Sequence, residues 1–139
     1  MNQPTLKRSF FQRLLGRPAT PEPADPGCWE YNDGRVLIDL DRAGELAKAG
    51  GSIRLEGRNL PQRILVIKDD NGRFGAYHNC CGHGGRRLDL LPGSGAIQCC
   101  SLGKTTHDLD GKVLSGPSEK DMVRFSVSVE NNRLTVNLS

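Results

Sequence analysis

From Trp29 onward the apolar residues recur mostly at every second position, which is the period of strands rather than helices. Val36, Ile38 and Leu40 alternate with Leu37, Asp39 and Asp41. Near the C-terminus Val123, Phe125, Val127 and Val129 alternate with polar residues, Asn131-Asn132 turns the chain, and Leu134, Val136 and Leu138 alternate again. Arg63 to Lys68 reads RILVIK, an apolar run, and a second extended stretch resumes at Gly75 to His78. Between these two lies Asp70-Asn71-Gly72, and an Asn-Gly pair between extended runs signals a hairpin because both residues tolerate positive φ. One short helix is predicted over Arg42 to Ala49, with Asp41 as its N-cap and Gly50-Gly51 as its stop. The pattern contains no internal repeat. It predicts a small antiparallel all-β domain, a sandwich or barrel of short strands.

The first residues follow a different pattern. Residues 7–15 read KRSFFQRLL, and on a helix Phe10, Phe11, Leu14 and Leu15 would share one face, with Arg13 and Arg17 away from it. Gln12 and Arg13 interrupt the apolar stretch, so it does not read as a secretion signal. Residues 18–27, PATPEPADPG, hold four of the eight prolines and read as a linker too polar to pack. Three regions are therefore expected: a basic amphipathic tail at 1–17, the Pro-rich linker at 18–27, and the folded domain at 28–139.

Length and charge narrow the classes. A chain of 139 residues suits one domain. No run approaches the ~18 apolar residues that a membrane-spanning helix needs. The net charge of +3 is concentrated in the tail, where Lys7, Arg8, Arg13 and Arg17 stand without any Asp or Glu. The rest of the chain holds 15 basic against 16 acidic residues. Such a body lacks the excess cations of a nucleic-acid surface. The tail instead suits an acidic partner or the anionic surface of a membrane, touched through residues 7–17.

Four of the five cysteines fall in adjacent pairs, Cys80-Cys81 and Cys99-Cys100. His78 and His83 flank the first pair, and His107 follows the second. Thiolates and imidazoles on glycine-rich loops suit iron–sulfur clusters or zinc. The odd cysteine count and the vicinal pairs argue against a secreted disulfide framework and for a reducing, cytoplasmic setting. Cys28 stands apart and reads as a small apolar filler at the start of the domain.

The order of these motifs is more specific. Cys81-Gly82-His83 runs into Gly84-Gly85-Arg86-Arg87-Leu88, and Ile97-Gln98-Cys99-Cys100-Ser101-Leu102-Gly103 follows, then Asp108 to Gly111 and Gly116-Pro117. This resembles the Rieske [2Fe–2S] family, whose first loop is C-x-H-x-G-x-x-L and whose second is C-P-x-H-G. The resemblance covers roughly residues 29–139. It implies Cys81, His83 and Cys99 as cluster ligands at the tips of two neighbouring loops. With Cys99 as the family's second cysteine, Gly103, Gly111 and Pro117 fall into register without a gap. Cys100 then replaces the usual Pro, and Leu102 stands where the second His belongs. Taking Cys100 instead places Gly103 at the His position and needs a deletion downstream. The inferred set is thus one ligand short, and Cys100, Cys80 and His107 are the candidates for the fourth place. Arg86 and Ser101 occupy the positions where high-potential members carry an extra disulfide.

The resemblance implies a soluble Rieske-type ferredoxin that carries single electrons between redox protein partners, rather than a stand-alone catalyst. A Rieske-fold module without a cluster, serving as an accessory domain, is the alternative that Leu102 favours. A structural zinc domain built on the same donors is a third. Oxygenase activity of this chain alone is not expected. The resemblance ties that chemistry to a second domain with a mononuclear iron site, for which 139 residues leave no room.

Overall fold

The computed structural model describes residues 20–80, 88–91, 95–99, 106–115 and 122–138. Among the described residues eleven short strands follow one another: β1 (Trp29–Asn32), β2 (Arg35–Asp39), β3 (Ser52–Leu55), β4 (Ile64–Lys68), β5 (Phe74–His78), β6 (Leu88–Leu91), β7 (Ala96–Cys99), β8 (Thr106–Asp108), β9 (Val113–Ser115), β10 (Arg124–Glu130) and β11 (Arg133–Asn137). Seven of them form one curled sheet in the order β1-β2-β11-β10-β5-β4-β3, and β6-β7-β8-β9 form a second, smaller sheet. Among the described residues every strand pairing, from the β1–β2 hairpin to the β8–β9 pair, is antiparallel. The expected all-β class is the one observed.

Local chemistry explains the hairpins. Asn131 and Asn132 both adopt positive φ (51° and 61°), as do Asp33 and Gly34 (51° and 78°). Two-residue turns of this kind match the right-handed twist of the strands they join. The Asn-Gly turn is built differently. Asp69 Oδ1 accepts the N–H groups of Asn71 and Arg73 (2.9 Å each), and only Gly72 takes positive φ, at 80°. The same device recurs between β8 and β9. There Asp108 Oδ1 accepts from Asp110 (3.0 Å) and Lys112 (2.9 Å), and Gly111 sits at φ 92°. A Cβ on Gly111 would lie 2.8 Å from the Met122 carbonyl, so that turn needs glycine for space as well as for conformation.

Two cores meet at β4. Ile64 and Val66 face the interior of the curled large sheet, with Ile38, Ile53, Leu134 and Val136. Leu65 and Ile67 face the other way, against Tyr77, Leu88, Leu90, Ile97 and Met122, and this second core joins the small sheet to the large one. The run RILVIK is apolar on both faces for that reason. Cys28 is 1% exposed in the first core, as expected of a filler, and burial pushes its thiol pKa up.

Tyr77 also ties the sheets by a polar contact, because its hydroxyl donates to the Leu109 carbonyl at 2.6 Å. Burial pushes its pKa up to about 12, against about 10 for the exposed phenol of an unfolded chain. Between those values the unfolded chain loses a proton that the folded protein keeps. Stability should therefore hold up to about pH 10 and fall above it. Denaturant titrations at pH 9 and 11 on the parent and on Tyr77→Phe check this. The variant should be less stable at pH 9 yet lose less between the two pH values, and an equal loss in both would contradict it.

Two expectations are corrected. The helix over Arg42 to Ala49 is reduced to a single 3-10 turn, Gly44–Leu46, preceded by Ala43 with no capping side-chain bond. The Asp39 carbonyl takes the N–H groups of Arg42 and Ala43, and its carboxylate takes that of Asp41, so the chain turns on Asp39 and Asp41 caps nothing. Gly50 and Gly51 then pair with Lys68 at the end of β4. So short a segment does not hold a helix against such pairing.

The segment read as too polar to pack is the second. Thr20 is buried, at 5% exposure. The Thr20 and Pro21 carbonyls accept from Arg54 Nε (3.0 Å) and Arg54 N–H (2.9 Å), covering the open edge of β3. Farther along, Ala24 N–H donates to Glu45 (2.7 Å), and Asp25 takes two bonds from Arg42 (2.6 and 2.9 Å), which hold its carboxyl below the usual range. Arg58 donates to the Pro26 and Trp29 carbonyls, and its guanidinium stacks 4.4 Å from the Trp29 ring. Polar side chains here supply partners for the strap's own backbone.

Candidate metal centre at one end of the small sheet

The two glycine-rich segments singled out by the sequence are stitched into the small sheet at one end. Segment 80–87 connects β5 to β6, and segment 100–105 connects β7 to β8. Leu88, the first residue of β6, pairs with Cys99, the last of β7. Thr106, the first of β8, pairs with Gln98 and with Ser115. Register alone thus brings the end of the first segment and both ends of the second into adjacent rows.

The start of the first segment is held to the same place by Asn79. This residue is fully buried (0% exposed). Its N–H donates to the Arg63 carbonyl at 2.8 Å, and its Oδ1 accepts the N–H of Leu88 at 2.7 Å. One side chain therefore spans the base of the first segment. Asn79→Leu should cost about 1–3 kcal/mol, because the buried Leu88 N–H loses its acceptor. Urea unfolding would measure that loss, and Asn79→Asp, which keeps an acceptor oxygen, should recover part of it. Sequence reading passed over Asn79. Its polarity beside two cysteines and a histidine hid a structural role that only the spatial partner reveals.

The individual site residues are placed as follows. Cys99 ends β7, at the strand end expected for it. Cys80 is half-buried, and its N–H donates to the His78 carbonyl at 2.8 Å. His78 ends β5 and its N–H donates to the Val123 carbonyl at 2.9 Å; burial, and then the charge of Arg63, push its pKa down. His107 lies inside the small sheet, 0% exposed, opposite Ile97 on one side and Val113 on the other. Cys81, His83, Arg86, Arg87, Cys100 and Leu102 lie outside the described residues, as does the tail at 1–17. Among the described residues, no three His, Cys, Asp or Glu side chains are grouped to hold a metal. None of the helices described is long and apolar enough to cross a membrane.

As chemistry, the donor set fits an iron–sulfur cluster in kind. Were Cys81, His83 and Cys99 the ligands, two thiolates and an imidazole would come from segments whose stems share one sheet end, and these are donors that iron–sulfur clusters and zinc both accept. In number such a set would need one more donor, because leucine at 102 offers no lone pair.

Comparison with known proteins agrees with this architecture. Residues 38–129 match the Rieske [2Fe-2S] domain. The chain is similar to the glycine betaine monooxygenase oxygenase subunit of Chromohalobacter salexigens, 38% identical over 52 residues. That match takes in 37% of this chain but only 12% of the oxygenase subunit. In structure it is similar to the ferredoxin of carbazole 1,9a-dioxygenase from Nocardioides aromaticivorans, with a TM-score of 0.60 at 19% identity, covering 74% of this chain and 95% of the ferredoxin. It is also similar to the plasma membrane Rieske protein PetC3 of Synechocystis, with a TM-score of 0.52 at 21% identity, covering 62% and 85% of the two chains. At such identities the structural likeness speaks for the fold, and the domain match speaks for descent. A match over most of the folded body, coinciding with two glycine-rich segments rooted at one end of a four-stranded sheet, places the chain in the Rieske [2Fe–2S] domain family.

Proposed function

We propose that this domain is a Rieske-type iron–sulfur protein that carries single electrons between redox protein partners. The observation that carries the reading is the register of the small sheet, which roots both cysteine-bearing segments in adjacent rows, together with the Asn79 clamp across the first. Cys81, His83 and Cys99 would hold the cluster, with Cys100, Cys80 or His107 as fourth donor. When bound, a [2Fe–2S] cluster supplies a centre that accepts and releases one electron. The protein's own contribution would be to fix the donors and hold the centre within reach of a partner. Electron transfer of this kind needs a docking face rather than a substrate cavity, and a role as carrier or redox-enzyme component fits better than stand-alone catalysis. The identity of the fourth donor bears on the potential: a thiolate there adds negative charge and should leave it below that of a two-His centre. The thiols suit a reducing, cytoplasmic compartment.

Leu102 favours a second reading, a Rieske-fold accessory module that binds no cluster; a structural zinc domain is the third. Reductive titration of anaerobically purified protein separates them. The carrier takes up one electron per chain with bleaching of its visible absorption. A colourless protein that consumes no reductant would leave the accessory module in its place.

A further inference from the structure

The strand edges of the large sheet are finished unequally. Along β3 the edge is covered by Thr20 and Pro21, whose carbonyls accept from Arg54 Nε (3.0 Å) and the Arg54 N–H (2.9 Å). β10 carries no such cover. It pairs with β5 only at Arg124 and Phe125, so from Ser126 to Glu130 the edge turned away from β11 meets no strand among the described residues. The ladder decides which groups stand on that edge. The two-residue turn at Asn131-Asn132 makes Glu130 and Arg133 a hydrogen-bonded pair, and such pairs then recur at Ser128 and Ser126. Val127 and Val129 therefore aim their N–H and C=O groups at the open edge. That is the side of Val123, whose carbonyl takes the His78 N–H of β5. Their side chains share the parity of buried Phe125; Val127 packs against the main core, while Val129 is 52% exposed. The stretch holds neither Pro nor Lys and its register is unbroken, so the devices that keep an edge from pairing are missing from it.

We infer that residues 126–130 are a self-association edge, to which a second copy of this chain adds its own β10, antiparallel about a twofold axis at Ser128. Register and charge both point to a copy. Pairing about Ser128 sets Val127 opposite the partner's Val129, and Val129 opposite the partner's Val127. Each pair exchanges both N–H···O bonds, and each exposed Val129 gains an apolar neighbour. An axis at Val127 would ask Phe125 to pair with the partner's Val129, but Ala76 of β5 already holds that place. An axis at Val129 would set Val127 against a residue of the Asn131-Asn132 turn. On the other face, the Ser128 register puts Glu130 opposite the partner's Ser126 and diagonal to the partner's Arg124, a spacing that long side chains cross. Symmetry makes that contact twice. Glu130 is exposed and Arg124 half-exposed, its guanidinium 3.2 Å from Asp110. An edge this short buries less than the patches of stable complexes, so the dimer is weak, with a Kd on the order of 100 µM. β10 runs away from Val123, and the pairing leaves the sheet end at His78 uncovered in both copies.

Sedimentation equilibrium of the full chain from about 10 µM to about 1 mM should show monomer at the low end and mostly dimer at the high end. Hydrogen exchange at the high concentration should slow at the Val127 and Val129 amides and stay unchanged along β1 and β2. Val129→Lys places a charge on the edge and should keep the chain monomeric throughout, while its melting curve at the low concentration shows that the fold is retained. Glu130→Arg and Arg124→Glu should each weaken association at least about fivefold, because like charges then face each other at both diagonals. An equimolar mixture of these two variants should recover it, because opposite charges then meet at both. A chain still monomeric at the high end would overturn the inference. So would a dimer that Val129→Lys leaves intact, protection on other strands in place of Val127 and Val129, or a mixture no tighter than either charge variant alone. None of these readouts requires a cluster, so failure of the electron-carrier reading would leave them intact.

Discussion

Replacing Cys81 or Cys99 by Ser should strip the protein of iron and acid-labile sulfide to background, while Cys28→Ala leaves both unchanged. The contrast follows from position. Cys28 sits 1% exposed in the main core, beside Trp29 and Val36, whereas Cys99 ends β7 in the row that joins the two segments. A [2Fe–2S] cluster held by Cys81 and Cys99 would lose one of its donors in either variant, and a neutral serine hydroxyl does not substitute for a soft, charged sulfur. Metal analysis and sulfide assay on the three variants, purified side by side without oxygen, measure the outcome. Full retention of iron in both Cys81→Ser and Cys99→Ser would remove these residues from the site.

The second large effect belongs to the joint between the sheets. Leu65→Ala should cost about 2–5 kcal/mol, because the side chain is fully buried where β4 meets the small sheet and its loss leaves a cavity in the core that joins the two sheets. Val129, 52% exposed near the Asn131-Asn132 turn, serves as the comparison, and Val129→Ala should change stability by no more than about 0.5 kcal/mol. Urea unfolding followed by fluorescence of Trp29 reads both. A loss below about 1 kcal/mol for Leu65→Ala would mean that the small sheet is not held on by this core.

Much of the fold was legible because its cues are local. Alternation marked β2, β10 and β11, and Asn71-Gly72 and Asn131-Asn132 marked two hairpins. The Asp33-Gly34 turn, which joins β1 to β2, carries an equally strong dipeptide signal and was passed over. Alternation was less informative about burial. Val129 keeps the strand period yet is 52% exposed, because β10 pairs with β5 only at Arg124 and Phe125 and runs on past it, and Val123, just before β10, is 54% exposed although its carbonyl accepts from His78. The helix over Arg42 to Ala49 looked sound by its cap and its stop. It gave way because the Asp39 carbonyl and the pairing of Gly50 and Gly51 with Lys68 claim the backbone first.

What the sequence concealed is long-range. The Thr20–Asp89 bond joins residues 69 positions apart, and no local pattern announces that a proline-rich segment will find a buried carboxylate. Asn79 and Leu88 are closer in sequence, but their bond is visible only once β5 and β6 are placed. For the site, the spacing of cysteines, histidine and glycines carried the resemblance, and Cys99 falls at a strand end as that spacing requires. The register of β6 and β7 adds the physical reason that segments whose cysteines at 81 and 99 stand 18 positions apart are rooted at one end of a sheet.

The most direct test is the iron and inorganic sulfide content of the unmodified chain, made with sufficient iron and purified anaerobically, read together with the EPR spectrum after reduction. A Rieske-type carrier should contain about two iron and two sulfide per chain and give a spectrum that moves toward that of a two-His centre when Leu102→His restores the second imidazole. About one zinc per chain without sulfide, or no metal in either the parent or Leu102→His, would contradict it.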